Sequence, residues 1–327
     1  MLELEFMRQT RSVFITGAGG FVGRATVRPF LKQGWQVTAA LRTAPPEVEL
    51  EAANLRYVEI EDISNVADWQ PFLTDIDVVV HLAARAHKTD EASTFNTDEF
   101  ERINNLATAH LAQAATVAGV KRFVFVSSAG VMGEQSQHPF TERDLPSPAS
   151  EYAKSKYRAE LALKDISNVG GMDLVILRPT LMYGVGNPGN LARLASLIKT
   201  GLPLPLAGAT GRRSLLSVEH FANVILEAST NEIASGQTYL VSDGVDVTTV
   251  DLLRAMAAAM GTRLVLFHFP TALLKLASNL LGKRSEIDKL LGSLCVDSSL
   301  VRTQLGVQSI STLAEISGNA AGAGLPR

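Results

Sequence analysis

Tyr152 and Lys156 stand four residues apart in Tyr152-Ala153-Lys154-Ser155-Lys156. On a helix that spacing puts a phenol and an ammonium on one face. A free phenol titrates near about 10, and a neighbouring cation lowers that value by stabilising the phenolate. Such a tyrosine can give a proton to a carbonyl oxygen under reduction, or take one from an alcohol under oxidation. A second polar cluster, Ser127-Ser128, ends the apolar run Phe123-Val124-Phe125-Val126. One hydroxyl there can bond a reacting oxygen while the other caps the strand. Asn104 falls on a predicted helix, either as a buried amide bridging helix and site or as a surface residue.

Proton transfer of this kind needs a hydride carrier, and the N-terminal region offers a cradle for one. The run Ser12 to Thr16 leads into Gly17-Ala18-Gly19-Gly20-Phe21-Val22-Gly23, and helical spacing follows. Glycines at this spacing allow a sharp turn, a close backbone approach to a pyrophosphate and tight helix–strand packing. The amides of the first helical turn, Phe21 to Gly23, then face the anion. In this position the loop predicts a bound dinucleotide. Lys156 can hold its nicotinamide ribose, and an oxidised ring adds positive charge beside the phenol. The second strand ends Ala39-Ala40-Leu41-Arg42-Thr43, with no carboxylate to meet an adenosine ribose diol. The Arg42 guanidinium suits a 2′-phosphate, so NADP(H) is expected, with NAD(H) as the alternative. Asp62-Ile63, after the third strand, lies where adenine would be met, or forms an ordinary turn.

These groups need a scaffold. Short apolar runs at Val13–Ile15, Gln36–Leu41, Val78–Val80, Phe123–Val126 and Leu174–Leu177 read as buried strands. Helical stretches at Val22–Gln33, Phe100–Ala118 and Tyr152–Ser167 lie among them, and Gly34 and Gly119 stand where helix stops belong. The alternation predicts an α/β fold, a Rossmann-type doubly wound parallel sheet. A smaller C-terminal substrate-binding α/β domain is expected to follow. The boundary is expected near Arg178, giving residues 1–178 and 179–327, with segments near 215–245 folding back onto the first domain. The helical run Leu191–Thr200 interrupts a Gly/Pro-rich stretch, and the tail from Ser317 is rich in Gly and Ala.

Lys plus Arg is 30 against Asp plus Glu 33, a net charge of −3, which argues against counterion-driven binding to nucleic acid. A hydrophobic share of 46% is enough for a real core. The single cysteine, Cys295, excludes an internal disulfide and a cysteine-based zinc site, and no metal is expected. The absence of a signal-like apolar segment points to the cytoplasm. The greasy stretch Leu264–Leu281 is interrupted by His268, Pro270, Lys275 and Asn279, so a buried or interfacial helix is expected there rather than a membrane span.

Together these residues resemble the extended short-chain dehydrogenase/reductases, and within them the NAD-dependent epimerase/dehydratase group acting on nucleotide sugars. The matching segments are Thr16–Gly23, Asp62-Ile63, His81-Leu82-Ala83-Ala84, Asn104–Thr108, Ser127–Gly133, Tyr152–Lys156 and Arg178–Gly184, in family order. The resemblance implies a Ser128, Tyr152, Lys156 triad. It implies cofactor contacts at Gly17, Gly20, Phe21, Val22, Gly23, Leu82, Ala83, Ala84, Asn104 and Pro179. For a UDP-sugar substrate it implies contacts from Ala129 and Gly130 beside the triad. Asn190 and Leu191 at a helix start and Arg213 are implied at the diphosphate, and the loop around Leu204 at the uracil. His87 either touches substrate or is a loop residue. A homodimer through the Phe100 and Tyr152 helices is also implied.

Two departures bear on the reaction. Dehydratases of the family carry Asp-Glu directly after the catalytic Ser/Thr, and here Ala129-Gly130 follows Ser128. Met132 stands where many members have tyrosine. The leading expectation is a reductase acting at carbon 4 of a UDP-4-keto-6-deoxy-N-acetylhexosamine, as in bacterial surface-polysaccharide synthesis. Its alternative is a UDP-hexose or UDP-N-acetylhexosamine 4-epimerase. A third reading, a non-catalytic dinucleotide-sensing regulator, requires a broken Tyr/Lys pair, and this pair is intact.

Overall fold

In a computed structural model, residues 10–43, 52–86, 97–184, 186–187, 190–271, 273–274, 279 and 291–318 are described. The central sheet has seven strands: β1 (Ser12–Thr16), β2 (Gln36–Leu41), β3 (Leu55–Glu59), β4 (Val78–His81), β5 (Arg122–Val126), β6 (Asp173–Pro179) and β10 (Thr238–Val241). Their spatial order is β10-β6-β5-β4-β1-β2-β3. The pairs from β3 through to β6 are parallel, with β1 as the hinge between the two directions of winding. Every residue of β1, β4 and β5 is buried, as continuous apolar strands covered on both faces require. Phe14, Val79, Phe123 and Ile176 from the sheet share one core with Leu111, Ala159 and Leu163 from the covering helices.

Helix α1 (Phe21–Lys32) follows the glycine loop. Gly34 and Gly119 take left-handed φ values of +77° and +78° just past helix ends, which fits their reading as stops. The segment expected as one regular helix from Phe100 to Ala118 is not regular. A short helix at Thr97–Phe100 opens into a wider π-helical turn at Glu101–Leu106 before α4 (Ala107–Val117) begins. Helix α5 (Glu151–Gly170) carries Tyr152 and Lys156 in its first two turns. Ser150 caps it by accepting from the Ala153 amide at 3.2 Å.

The chain divides into two compact units. The first holds the residues up to Val131, Pro148–Arg178 and Phe221–Tyr239; the second holds Met132–Ser147, Pro179–His220 and Leu240 onward. The second unit packs its own core from α6 (Asn190–Lys199) and α8 (Thr249–Ala259), with Ala195, Ile198, Leu215, Leu253 and Met256 inside it. The fully buried Asp243 ties its segments together. Asp243 accepts from the Tyr183 and Thr312 hydroxyls, each at 2.8 Å, and from the Ser217 amide at 2.9 Å, with His220 Nδ1 at 3.1 Å. Burial and this carboxylate together push the Tyr183 phenol far up. Among the described residues no helix is long and apolar enough to cross a membrane.

Removing the Asp243 carboxylate strands three buried donors. Asp243→Ala is expected to destabilise the protein by about 3 kcal/mol, read as a lowered denaturation midpoint in urea, while Asp246→Ala, which removes a half-buried carboxylate accepting from the Ser214 hydroxyl, changes it by less.

Candidate active site

The cofactor loop is built from backbone alone. Gly17 has φ +69°, and a Cβ there would lie 2.8 Å from the Ala83 amide nitrogen. A Cβ on Gly23 would collide with the Gly17 carbonyl and the Ala18 backbone. Gly20 caps α1 without a side chain, and its first turn carries no acidic residue. The amides of that turn therefore meet an anion unopposed, with the positive end of the helix dipole behind them. Leu82, Ala83 and Ala84 pass beside the loop, where the Leu82 and Ala83 amides donate to the Thr16 carbonyl and hydroxyl at 3.3 and 3.2 Å. Such a cradle fits a dinucleotide pyrophosphate and excludes side chains from its place.

Arg42 is exposed just past β2. The Asp62 carboxylate accepts from the Ser64 amide and hydroxyl at 2.9 and 2.6 Å and pairs with Arg102 at 3.1 Å, so it holds a turn. Ile63 packs against the core. Asn104 is completely buried. Its amide oxygen accepts from the Arg85 amide at 2.7 Å, and its amide nitrogen donates to the Arg85 carbonyl and Ser155 hydroxyl at 3.1 and 3.0 Å. That link between the loop after β4 and helix α5 accounts for the widened π turn, which presents the side chain sideways.

Ser127, Ser128 and Pro179 lie at the carboxyl ends of β5 and β6, the edge where parallel sheets bind ligands. Ala129–Val131 makes a single tight turn. Within it the Gly130 amide donates to the Ser128 hydroxyl oxygen at 3.1 Å, leaving the hydroxyl hydrogen for another acceptor. Tyr152 stacks edge-on against Phe100 at 6.3 Å. Burial pushes its phenol up to about 12, so in the protein alone desolvation outweighs the help expected from Lys156. Lys156 is 2% exposed. Its ammonium donates to the Val126 carbonyl at 2.8 Å and lies 4.5 Å from the centre of the Phe125 ring. Burial drives it down to about 7, while the Glu160 carboxylate one turn on pulls it back up.

His81, at the end of β4, was quoted only as part of a motif, yet it touches the same network. Its ring lies between the Thr16 and Thr108 hydroxyls at 2.7 and 2.9 Å. Burial first, and then the Lys156 charge, push it down to about 3, so it stays neutral. Glu160 has no role in the sequence pattern, whereas Arg178 is named there only in a motif and at the boundary, and Ser127 only as one of two hydroxyls at the strand end. The available signal was a third ionisable residue, Glu160, continuing the four-residue step of Tyr152 and Lys156.

In the second unit, Leu191 and Leu204 belong to the apolar core. The Leu204 amide and carbonyl are bonded to Val265 and Phe267. Arg213, on strand β8 (Arg212–Arg213), donates to the Gly292 carbonyl at 3.3 Å. Burial pushes its guanidinium down, and the Cys295 thiol opposes that shift. Asn190 opens α6, but its side chain, like all of His87, lies outside the described residues.

A family model described as NAD dependent epimerase/dehydratase family matches residues 13–242. The chain belongs to that family. It is an NAD-dependent enzyme of the short-chain dehydrogenase/reductase type. Its relatives include a Vibrio cholerae UDP-glucose 4-epimerase, 36% identical over 94% of each chain. Another is the Escherichia coli O157:H7 N-acetyl-alpha-D-glucosaminyl-diphospho-ditrans,octacis-undecaprenol 4-epimerase, 28% identical over 79% of this chain and 75% of that one. The solved structure of Bacillus cereus UDP-glucuronic acid 4-epimerase in complex with NAD shares the fold, with a TM-score of 0.76 and 20% identity, over 95% of this chain and 96% of that one. The turn after Ser128, Ala129–Val131, carries no carboxylate.

The neutral buried His81 sets a pH dependence. Its folded value lies below its ordinary 6.5, so the unfolded chain binds the extra proton between pH 6.5 and about 3. Stability therefore falls as pH drops through that window, by up to about 1.4 kcal/mol per pH unit from this group. Urea melts between pH 6.5 and 4.5 should show a shallower pH dependence for His81→Asn than for the native chain.

Proposed function

We propose that the protein is an NAD-using 4-epimerase of a UDP-linked hexose or N-acetylhexosamine, with Ser128, Tyr152 and Lys156 as its acid–base machinery. The observation that carries this reading is the 36% identity to a UDP-glucose 4-epimerase, spread over 94% of both chains. A nicotinamide dinucleotide held at the Gly17–Gly23 loop would supply hydride acceptance and return at carbon 4. Tyr152 takes the proton of the carbon 4 hydroxyl and later gives it back to the same oxygen. Because burial holds this phenol high, it ionises only beside positive charge, which Lys156 provides together with the oxidised cofactor. Ser128 accepts from Gly130 and donates its own hydrogen to the sugar oxygen. Arg213 suits a diphosphate, as a desolvated guanidinium binds phosphate oxygens strongly.

A second reading, NADPH-dependent reduction of a UDP-4-keto-6-deoxy sugar, is favoured by one observation. Arg42 stands exposed at the end of β2 with no carboxylate in that strand, an arrangement suited to a 2′-phosphate.

Two incubations separate the readings. UDP-glucose or UDP-N-acetylglucosamine converted to its carbon 4 epimer without net change in nicotinamide absorbance supports epimerisation. Stoichiometric loss of added NADPH with the keto sugar, and no epimer from the others, overturns it. Tyr152→Phe is expected to lower turnover at least about a hundredfold while bound cofactor, released and counted after denaturation, is retained. Arg42→Ala is expected to weaken NADPH about tenfold more than NADH in fluorescence titrations if the 2′-phosphate lies there, and equal loss removes the argument for the reductase.

A further inference from the structure

We propose that Glu160 is a positioning residue for the reaction: its buried carboxylate, fixed by Arg178 and Ser127 one helical turn beyond Lys156, sets negative charge behind the Lys156 ammonium on the helix face that carries Tyr152. The proposal rests on the reading of Tyr152 and Lys156 given above. Helix α5 places the two residues one turn apart, on the face that also carries Tyr152. Lys156 is 2% exposed, Glu160 0%, Ser127 3% and Arg178 4%. Three donors orient the carboxylate. The Ser127 hydroxyl reaches one oxygen at 2.5 Å, and Arg178 forks onto both, Nε at 2.9 Å and Nη2 at 2.5 Å. The ammonium is held by the carbonyl of Val126 and the carboxylate by the hydroxyl of Ser127, so successive residues at the end of β5 anchor the two charges.

Packing alone is a weak reason for this arrangement. A buried ion pair is often no more stabilising than apolar residues of the same volume. The charged and titratable groups around Lys156 are His81 from β4, Tyr152 and Glu160 from α5, and Arg178 from β6. His81 is neutral above about pH 3 and Tyr152 below about pH 12. Arg178 is a cation, turned onto Glu160. Glu160 is thus the anion of the set. Its attraction opposes the burial that drives Lys156 down to about 7, so without it the balance near neutral pH shifts further toward the uncharged amine.

The test is a titration of the cofactor-loaded protein by NMR of 13Cε-labelled lysine. The Lys156 signal is displaced by the Phe125 ring current and is absent from Lys156→Met. In the native protein its midpoint is expected well below that of a free lysine; a midpoint near about 10.4 overturns the proposal. In Glu160→Gln the midpoint is expected to fall by about one pH unit. Turnover at pH 7.5 should drop about tenfold and recover toward pH 6. Because the single variant leaves Arg178 buried and unpaired, Glu160→Met/Arg178→Met serves as the second variant. It removes both charges, keeps the fold, and is expected to lower the midpoint in the same direction. Either variant, folded and with a Lys156 midpoint unchanged from the native one, overturns the proposal. Tyr152→Phe separates the two levels of argument. If it retains full turnover, the reading of the site fails. If it is inactive while Glu160→Gln titrates like the native protein, only the role of Glu160 fails.

Discussion

The first unit is organised around a lysine ammonium kept out of water. Moving such a charge from solvent into a protein interior costs several kcal/mol even after relaxation, and Lys156 is almost entirely enclosed. Three features offset that cost: the Val126 carbonyl, the face of Phe125 and the carboxylate of Glu160. A fourth group yields to it. His81 cannot also carry charge in the same enclosure and is driven neutral, so its ring serves as a hydrogen-bonded strut between Thr16 and Thr108. Burial lowers both nitrogen bases, and the Lys156 charge adds to the fall of His81.

This constraint explains which parts of the site were legible in the sequence. Continuous apolar strands such as Val78–Val80 and Phe123–Val126 announce a sheet buried on both faces, and the structure has that sheet. Gly17 and Gly23 are legible because their need is absolute: backbone stands where a Cβ would go. Tyr152 and Lys156 are legible from a spacing that only a helix turns into proximity. Glu160 obeys the same spacing, but its meaning depends on Arg178, eighteen residues on in strand β6. No local pattern joins them. The π turn at Glu101–Leu106 was equally hidden, because its cause is the distant bonding of Asn104 to Arg85 and Ser155.

Asn104 also illustrates how neutral groups keep the charged ones in place. Its amide links the loop after β4 to Ser155, whose own hydroxyl donates to the Tyr152 carbonyl at 2.8 Å. The first turn of α5 is thus tied to the loop that borders the glycine cradle. One set of bonds runs from the Tyr152 backbone through Ser155 and Asn104 to the backbone of Arg85. Proximity of this kind carries much of the rate advantage in proton and hydride transfer.

The tight turn after Ser128 narrows the chemistry further. With Ala129 and Gly130 in place of carboxylates, the proposed reading leaves Tyr152 as the proton carrier among the described residues at that edge. A lone carrier serves a reaction in which a proton leaves an oxygen and returns to it, or arrives once at a ketone. It does not serve elimination, which needs an acid and a base on different atoms. Between the two remaining reactions the proposed triad is indifferent, because one tyrosine could perform both. The distinction lies in the cofactor: an epimerase keeps it through both hydride steps, whereas a reductase exchanges it every turn. The cradle at Gly17–Gly23 and the guanidinium of Arg42 therefore bear more directly on the choice of reaction than the catalytic residues do.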